Sequence, residues 1–401
     1  MTNIPNHYGY GLRNDEKPYA HKIPDGGNWR SLPEEEQKAF MKGAFNSGGG
    51  QTTYLRKMSW DEPALTITAS VMAKATCHLH PNEPIERSEY MGDFNLTPQL
   101  PANGLTVLEL FCGGGLGAIG FKAAGYEIVK ALDFDKNAVK AYRHNFGDYV
   151  EQSDISAVDI DSLPDTDVIF GGPPCQDFSV AGKGEGANGE RGKLVFRYLE
   201  IIERKQPKAF VFENVKGLIT KRHRPTFDAL IEKFNEIGYE ISWRVMSAWD
   251  YGVAQKRERV FIVGIRKDLG ITFEFPKPLE GDYQTKVLRD VIGDLPEPEE
   301  QMNGGHLSNN YGTGYEMAHR REIYENPGAT VTAHHRCSYT HPGSTTRRFT
   351  VRECLRIQSA PDTYVLPDDI SLSAQYRIVG NGIASRVAWY VGRALAEQLL
   401  V

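Results

Sequence analysis

Thr106-Val107-Leu108-Glu109-Leu110-Phe111, followed at once by Cys112-Gly113-Gly114-Gly115-Leu116-Gly117, is the stretch on which the fold turns. A short, mostly apolar run reads as a buried strand. The glycines after it permit a tight turn, and the segment to about Ala124 reads as a helix. The alternation repeats outward. Glu127 to Leu132 is a second strand ending in Asp133-Phe134-Asp135, and Lys136 to Asn145 is helical. Val168 to Phe170, Ala209 to Phe212 and Val260 to Val263 are further apolar strands, with helices at about 193–205 and 226–237. Strands alternating with helices predict an α/β fold with a doubly wound, mostly parallel sheet.

The flanks are different. Residues 1 to 100 are loosely patterned, and the stretch from about 268 to 345 is rich in proline, glycine and irregular polar runs. Helical texture returns at Thr350 to Gln358 and at Ile383 to Leu400, with Gly380-Asn381-Gly382 read as the turn opening the last helix. The expected organisation is an N-terminal extension over 1–100, a catalytic domain over 101–267, a smaller irregular domain over 268–360, and a segment over 361–401 that returns to the catalytic domain. One frame occurs twice. Pro63-x-x-Thr66-x-Thr68-Ala69 leads to His80-Pro81, and Pro327-x-x-Thr330-x-Thr332-Ala333 leads to His341-Pro342. This reads as a duplicated structural piece whose N-terminal copy packs on the later one.

The 401 residues are 40% hydrophobic and 24% charged, an ordinary soluble composition. There is no apolar run of membrane-spanning length and no signal peptide, which predicts a cytoplasmic protein without a membrane partner. Five cysteines without Cys-x-x-Cys spacing argue against a disulfide framework and a structural metal site. The net charge is −6, yet residues 183 to 267 hold 18 Lys and Arg against 11 Asp and Glu. Lys216, Lys221, Arg222, Arg224, Lys256, Arg257 and Arg259 cluster there, and Arg347, Arg348, Arg352 and Arg356 form a second basic group. Such clusters fit a polyanion cleft or solvated helix faces.

The chemistry gathers at strand ends. Asp167 to Phe170 runs into Gly171-Gly172-Pro173-Pro174-Cys175-Gln176, a stiff turn that holds Cys175 at the mouth of the sheet. Glu213-Asn214-Val215 ends a neighbouring strand, and Gln255-Lys256-Arg257-Glu258-Arg259 brings cations to the same edge. The glycine turn Cys112 to Gly117 lets a ligand approach a helix N-terminus. Asp133 can accept ribose hydroxyls, Phe134 can stack on a purine, and Asp154-Ile155 can read an adenine edge. Together these indicate an adenosine-containing cofactor, either a dinucleotide or S-adenosylmethionine.

In this order the motifs resemble the DNA cytosine-5 methyltransferase family, over about residues 105 to 401. The resemblance implies a Rossmann-like, S-adenosylmethionine-dependent enzyme acting on double-stranded DNA. It implies that Cys175 is the nucleophile, that Glu213 holds the cytosine, and that Arg257 and Arg259 complete the catalytic set. Phe111, Gly113, Gly114, Leu116, Asp133, Phe134, Asp154, Ile155, Pro174, Asn381 and Ile383 match the cofactor pocket. Gln176, Ser179, Asn214, Arg347 and Arg348 match substrate-binding positions, and 176 to about 193 matches the loop closing over the flipped base. The segment 268–360 falls where the family reads its target. The implied protein is a monomer of a bacterial or phage-infected cell, a modification methylase with a cognate restriction endonuclease or a stand-alone enzyme. The rival readings are a tRNA cytosine-5 methyltransferase, against which stands the lack of a Cys-Phe-Thr stretch, and an inactive DNA-binding homologue, against which stand Cys175, Glu213 and Arg259.

The chemistry the resemblance implies has a physical rationale. Adding a thiolate to carbon 6 breaks the aromaticity of cytosine and makes carbon 5 nucleophilic. Nearby cations favour the thiolate, and a protonated Glu213 carboxyl hydrogen-bonded to the ring nitrogen offsets the charge that accumulates. The target atom is out of reach in a duplex, so the base must flip out.

Overall fold

The computed structural model describes residues 17–20, 22–24, 28–41, 45, 56–57, 78–79, 94–174, 192–221, 223–278, 287–295, 320–321, 328–329, 339–340 and 349–401. The chain forms two compact units. One comprises Leu96–Tyr251, Glu258–Leu279 and Gly382–Val401, and the other Met1–Asn95, Gly252–Arg257 and Glu280–Asn381.

The first of these is built on a seven-stranded sheet: β1 (Thr106–Leu110), β2 (Glu127–Asp133), β3 (Val150–Gln152), β4 (Val168–Gly171), β5 (Ala209–Val215), β6 (Tyr239–Ser247) and β7 (Glu258–Arg266). Their order is β3-β2-β1-β4-β5-β7-β6. The first five are parallel, and β7 runs antiparallel between β5 and β6. The expected α/β sheet is therefore present as a mostly parallel one. Helices α1 (Leu116–Ala123), α2 (Lys136–Phe146), α3 (Gly192–Lys205) and α4 (Arg224–Glu236) follow β1, β2, β4 and β5. β1 and β4 are almost wholly buried because helices cover both faces of a parallel sheet, which is why they read as continuous apolar runs. The core continues through Tyr198, Phe210, Phe212, Phe234 and Tyr239, all fully buried.

The last helix, Ser385–Leu399, packs back onto α1 with almost no gap. A Cβ at Gly120 would press on the Ser385 carbonyl oxygen and lie 2.5 Å from the Trp389 amide nitrogen. Backbone cannot yield as a side-chain tip does. We expect Gly120→Ala to lower stability by about 1–3 kcal/mol, readable as a thermal midpoint several degrees lower. An unchanged midpoint would mean the two helices are not held at this spacing.

In the other unit, α5 (Val351–Ile357) and α6 (Leu372–Asn381) carry the described core. Thr350 Oγ1 accepts the Glu353 amide at 3.1 Å, while the Glu353 carboxylate accepts the Thr350 amide at 2.7 Å. This reciprocal cap starts α5. Gly380-Asn381 closes α6 instead of opening the last helix, and the turn lies at 382–384. Two-residue strands at 56–57, 78–79, 320–321 and 339–340 form one small parallel sheet, and 328–329 pairs with 255–256.

The second basic group does not hold in full. Arg352 and Arg356 are 0% and 1% exposed. Arg352 donates to the Tyr364 carbonyl at 2.9 Å, and Arg356 binds Asp362 in two parallel bonds of 2.8 and 2.7 Å and Asp294 in a third of 2.5 Å. Their charges are spent inside the unit, and although burial opposes it, hydrogen bonding to the Asp362 and Asp294 carboxylates holds Arg356 firmly cationic. In the first basic group, Lys216 pairs with Glu258 and Arg224 with Asp228.

Candidate active site

β4 ends in Gly171, where neighbouring backbone leaves no room for a side chain, and Gly172 follows it against the tip of Glu213. A Cβ at Gly171 would lie 2.5 Å from the Leu110 carbonyl oxygen, and one at Gly172 2.9 Å from Glu213 Oε2. The missing side chain at 172 is what lets the Glu213 carboxyl reach the strand end before the double proline. Pro173 is buried and Pro174 half-buried. The Asn214 side chain fixes this turn: Nδ2 donates to the Pro173 carbonyl at 3.0 Å and Oδ1 accepts the Val215 amide at 2.9 Å. Both ends of that amide are used by the protein, so the position read as substrate-binding has a positioning geometry. Cys175, Gln176, Ser179, Arg347 and Arg348 lie outside the described residues.

Glu213 and Arg259 meet because of strand register. Phe261 pairs with Glu213 and Arg259 with Val215 in the antiparallel β5–β7 ladder. All four share a face, and Arg259 reaches diagonally across it. Its Nε lies 3.0 Å from Glu213 Oε1, with side chains 13% and 11% exposed. Burial lowers the Arg259 guanidinium from its usual value, and the Glu213 carboxylate opposes that shift. A nearly buried, mutually compensated pair holds its geometry as surface pairs do not. Arg257 belongs to the other unit, where it is 3% exposed and donates to the Gly380 carbonyl at 3.1 Å. Gln255 is likewise buried there, donating to Gln358 Oε1 at 2.6 Å.

The glycine turn after β1 is wound through left-handed backbone at Phe111 (φ 55°), Gly113 (φ 55°) and Gly115 (φ 88°). A left-handed phenylalanine is unfavourable and persists only where its surroundings impose it. No side chain caps the start of α1. Asp133 closes this loop: Oδ2 accepts the Gly113 amide and Oδ1 the Asp135 amide, both at 2.8 Å. The Phe134 amide adds to these, and since a carboxylate has about four acceptor sites some capacity remains for a hydroxyl. Beside it Phe134 is 75% exposed, an unusual position for a ring that size at a strand end. Asp154 Oδ1 accepts the amide and hydroxyl of Ser156. Ile155 and Leu116 are buried, the latter where Gly382 approaches it. Asn381, in the other unit, is exposed, and Ile383 half-buried. Uncapped amides, a partly used carboxylate and an exposed ring fit the adenosine portion of S-adenosylmethionine.

Sequence reasoning missed Glu109. It is 2% exposed and accepts the Tyr142 hydroxyl at 2.7 Å. Burial pushes its carboxyl up to about 8, with Asp133 adding to the shift. Glu109 is therefore mostly neutral near pH 7, which spares Asp133 a second negative charge. The signal was a charged residue inside an apolar strand. Cys112 is equally buried, its thiol pushed well up by burial and by both carboxylates. Because the folded pKa of Glu109 exceeds the unfolded one, its contribution is complete below about 4.5 and is lost as pH rises through about 8. Stability of the native chain should fall between pH 5 and 8 more steeply than that of Glu109→Gln. Parallel slopes in thermal denaturation would refute the assignment.

Among the described residues no helix could cross a membrane, and no cluster of His, Cys, Asp or Glu could hold a metal ion. The sequence signature of the C-5 cytosine-specific DNA methylase family matches residues 105–397. The chain is 36% identical to the Type II methyltransferase M.FnuDI of Fusobacterium nucleatum, across 74% of this chain and 95% of that one. It is 34% identical to M.MthTI of Methanothermobacter thermautotrophicus, covering 74% and 98%. The structure of the Schizosaccharomyces pombe Dnmt2 methyltransferase shares the fold, with a TM-score of 0.56 at 19% identity over 74% of this chain and 99% of that one. The signature spans most of the length and the relatives are matched almost whole: the chain belongs to the C-5 cytosine-specific DNA methylase family.

Proposed function

We propose that the protein methylates carbon 5 of cytosine in duplex DNA at a specific sequence, using S-adenosylmethionine. The observation that carries this is the Glu213–Arg259 pair beside the Gly172-Pro173-Pro174 turn, because it sets a fixed carboxyl next to the segment that leads into Cys175. Gly113, Gly114, Asp133 and Phe134 would hold the cofactor, whose sulfonium supplies an electrophilic methyl group. Asp133 binds ribose hydroxyls and Phe134 stacks on adenine. The Cys175 thiolate adds to carbon 6 of the flipped base, and Glu213 hydrogen-bonds the ring nitrogen as charge accumulates there. Carbon 5, made nucleophilic by that addition, would take the methyl group and leave the cofactor as a thioether, and transfer of the carbon-5 proton to a base such as water then expels the thiolate. Arg259 holds Glu213 in place, and Asn214 holds Pro173.

Residues 268–360, most of which fall in the unit containing Glu280–Asn381, carry target recognition. The enzyme acts in the cytoplasm as the modification half of a restriction–modification pair, with an endonuclease that shares its site without a stable complex, a role supported by similarity to Type II methyltransferases. Competing duplex DNA and tRNA for a labelled methyl donor tests the substrate. Label in DNA is expected, and label confined to tRNA would overturn the proposal.

A further inference from the structure

The internal sequence echo and the small sheet coincide. Aligning Pro63 with Pro327 sets Arg56-Lys57 over Arg320-Arg321, Trp60 over Tyr324, and Thr66-Ile67-Thr68-Ala69 over Thr330-Val331-Thr332-Ala333. Aligning His80-Pro81 with His341-Pro342 sets His78-Leu79 over Tyr339-Thr340. Those four dipeptides are the four strands of the sheet. Within each copy the first strand pairs in parallel with the second in the same register. Arg56 stands opposite His78 and Lys57 opposite Leu79, as Arg320 stands opposite Tyr339 and Arg321 opposite Thr340. The copies then join, with Arg320 and Tyr339 both registered on His78. Chance repetition of a motif would not fix backbone pairing, so sequence spacing and register are independent, and they match the same strands although the later copy is three residues shorter between Ala333 and His341.

Past the N-terminal copy, the chain is fastened within the same unit at Phe94. Phe94 and Asp362 exchange backbone and side-chain hydrogen bonds, Asp362 amide to Phe94 carbonyl at 2.9 Å and Phe94 amide to Asp362 Oδ2 at 3.2 Å. The Arg356 guanidinium lies 4.7 Å from the Phe94 ring centre. The family match begins at 105, after this copy has ended.

The eight strand residues include Arg56, Lys57, Arg320 and Arg321 and no acid. Neighbouring strands lie about 4.8 Å apart, so Arg56 and Arg320 flank one rung and Lys57 and Arg321 the next. The His78-Leu79 strand lies between them, so four cations share two adjacent rungs with no acid among the strand residues, a concentration of positive charge that a polyanion matches. We propose that the strand pairs 56–57/78–79 and 320–321/339–340 are two copies of one module. In this inference the N-terminal copy is a second half of the DNA-reading surface, contacting phosphates through Arg56 and Lys57 as the later copy does through Arg320 and Arg321. The inference rests on the reading that DNA is the substrate.

The test is equilibrium binding of the full chain to a mixed-sequence duplex of about three helical turns as salt is raised. Each lost phosphate contact lowers the slope of log K against log salt by about 0.9. R56A/K57A and R320A/R321A should each lower it by up to about 2 and weaken binding roughly tenfold or more at low salt, with S-adenosylmethionine affinity unchanged. R56K should behave as the native chain. If R56A/K57A does not fold, R56Q/K57Q takes its place with the same expected loss. A wild-type slope and affinity for the 56–57 variant would overturn the inference while leaving methylation of DNA by the native chain intact. A native chain that shows the salt slopes yet transfers no methyl to DNA would remove the proposed function and not the module.

Discussion

Cys175→Ser is expected to reduce methyl transfer to background, a loss of at least roughly 10⁴-fold, the scale on which removal of an enzyme nucleophile is felt. A hydroxyl does not ionise near neutral pH and cannot add to carbon 6 as a thiolate does. Neither described cysteine can substitute. Cys354 is fully buried in α5, and Cys112 is 7% exposed with its thiol pushed well up by burial. Cofactor affinity and DNA affinity should stay near native, since Asp133, Phe134 and the basic positions are untouched. Single-turnover methylation with a labelled donor checks the rate, and full turnover by the serine variant would end the covalent account.

Glu213→Gln should slow single-turnover transfer by about 10²–10⁴-fold. The amide keeps the shape of the carboxyl and can still accept from Arg259, but it can neither hold nor share a proton with the cytosine ring in the same way. It also leaves a nearly buried guanidinium facing a neutral partner, at a stability cost of about 1–3 kcal/mol. Gly172→Ala gives a milder version of the same defect, because its Cβ would displace Oε2 without removing the carboxyl. An unchanged single-turnover rate for Glu213→Gln would exclude Glu213 from the chemistry.

How far the molecule was legible in its sequence follows from what burial does to patterns. β1, β4 and β5 were plain because both faces are covered and most positions are apolar. β6 was invisible because it edges the sheet, with Trp243 and Arg244 outward and no alternation clean enough to read. The antiparallel direction of β7 has no sequence signature, yet that direction sets the diagonal between Arg259 and Glu213. Gly380-Asn381 was misassigned because a glycine and an asparagine end helices as readily as they precede them. Arg352 and Arg356 looked like surface charge because their partners, a Tyr364 carbonyl and Asp362, are brought to them by a turn that periodicity cannot foresee. Of the candidate site, the strand-end carboxyls Asp133 and Glu213 stand at strand ends as the sequence reading requires. The buried Glu109 was visible only in the structure, and Asn214, read as substrate-binding, is seen there to hold the Pro173 carbonyl.

The central claim is that this chain methylates carbon 5 of cytosine in DNA at a fixed sequence. Bisulfite sequencing of DNA from cells expressing the protein tests it directly. The account predicts cytosines protected from conversion at one recurring motif, with protection lost in cells expressing Cys175→Ser. Complete conversion at every cytosine in cells holding soluble native protein would contradict it.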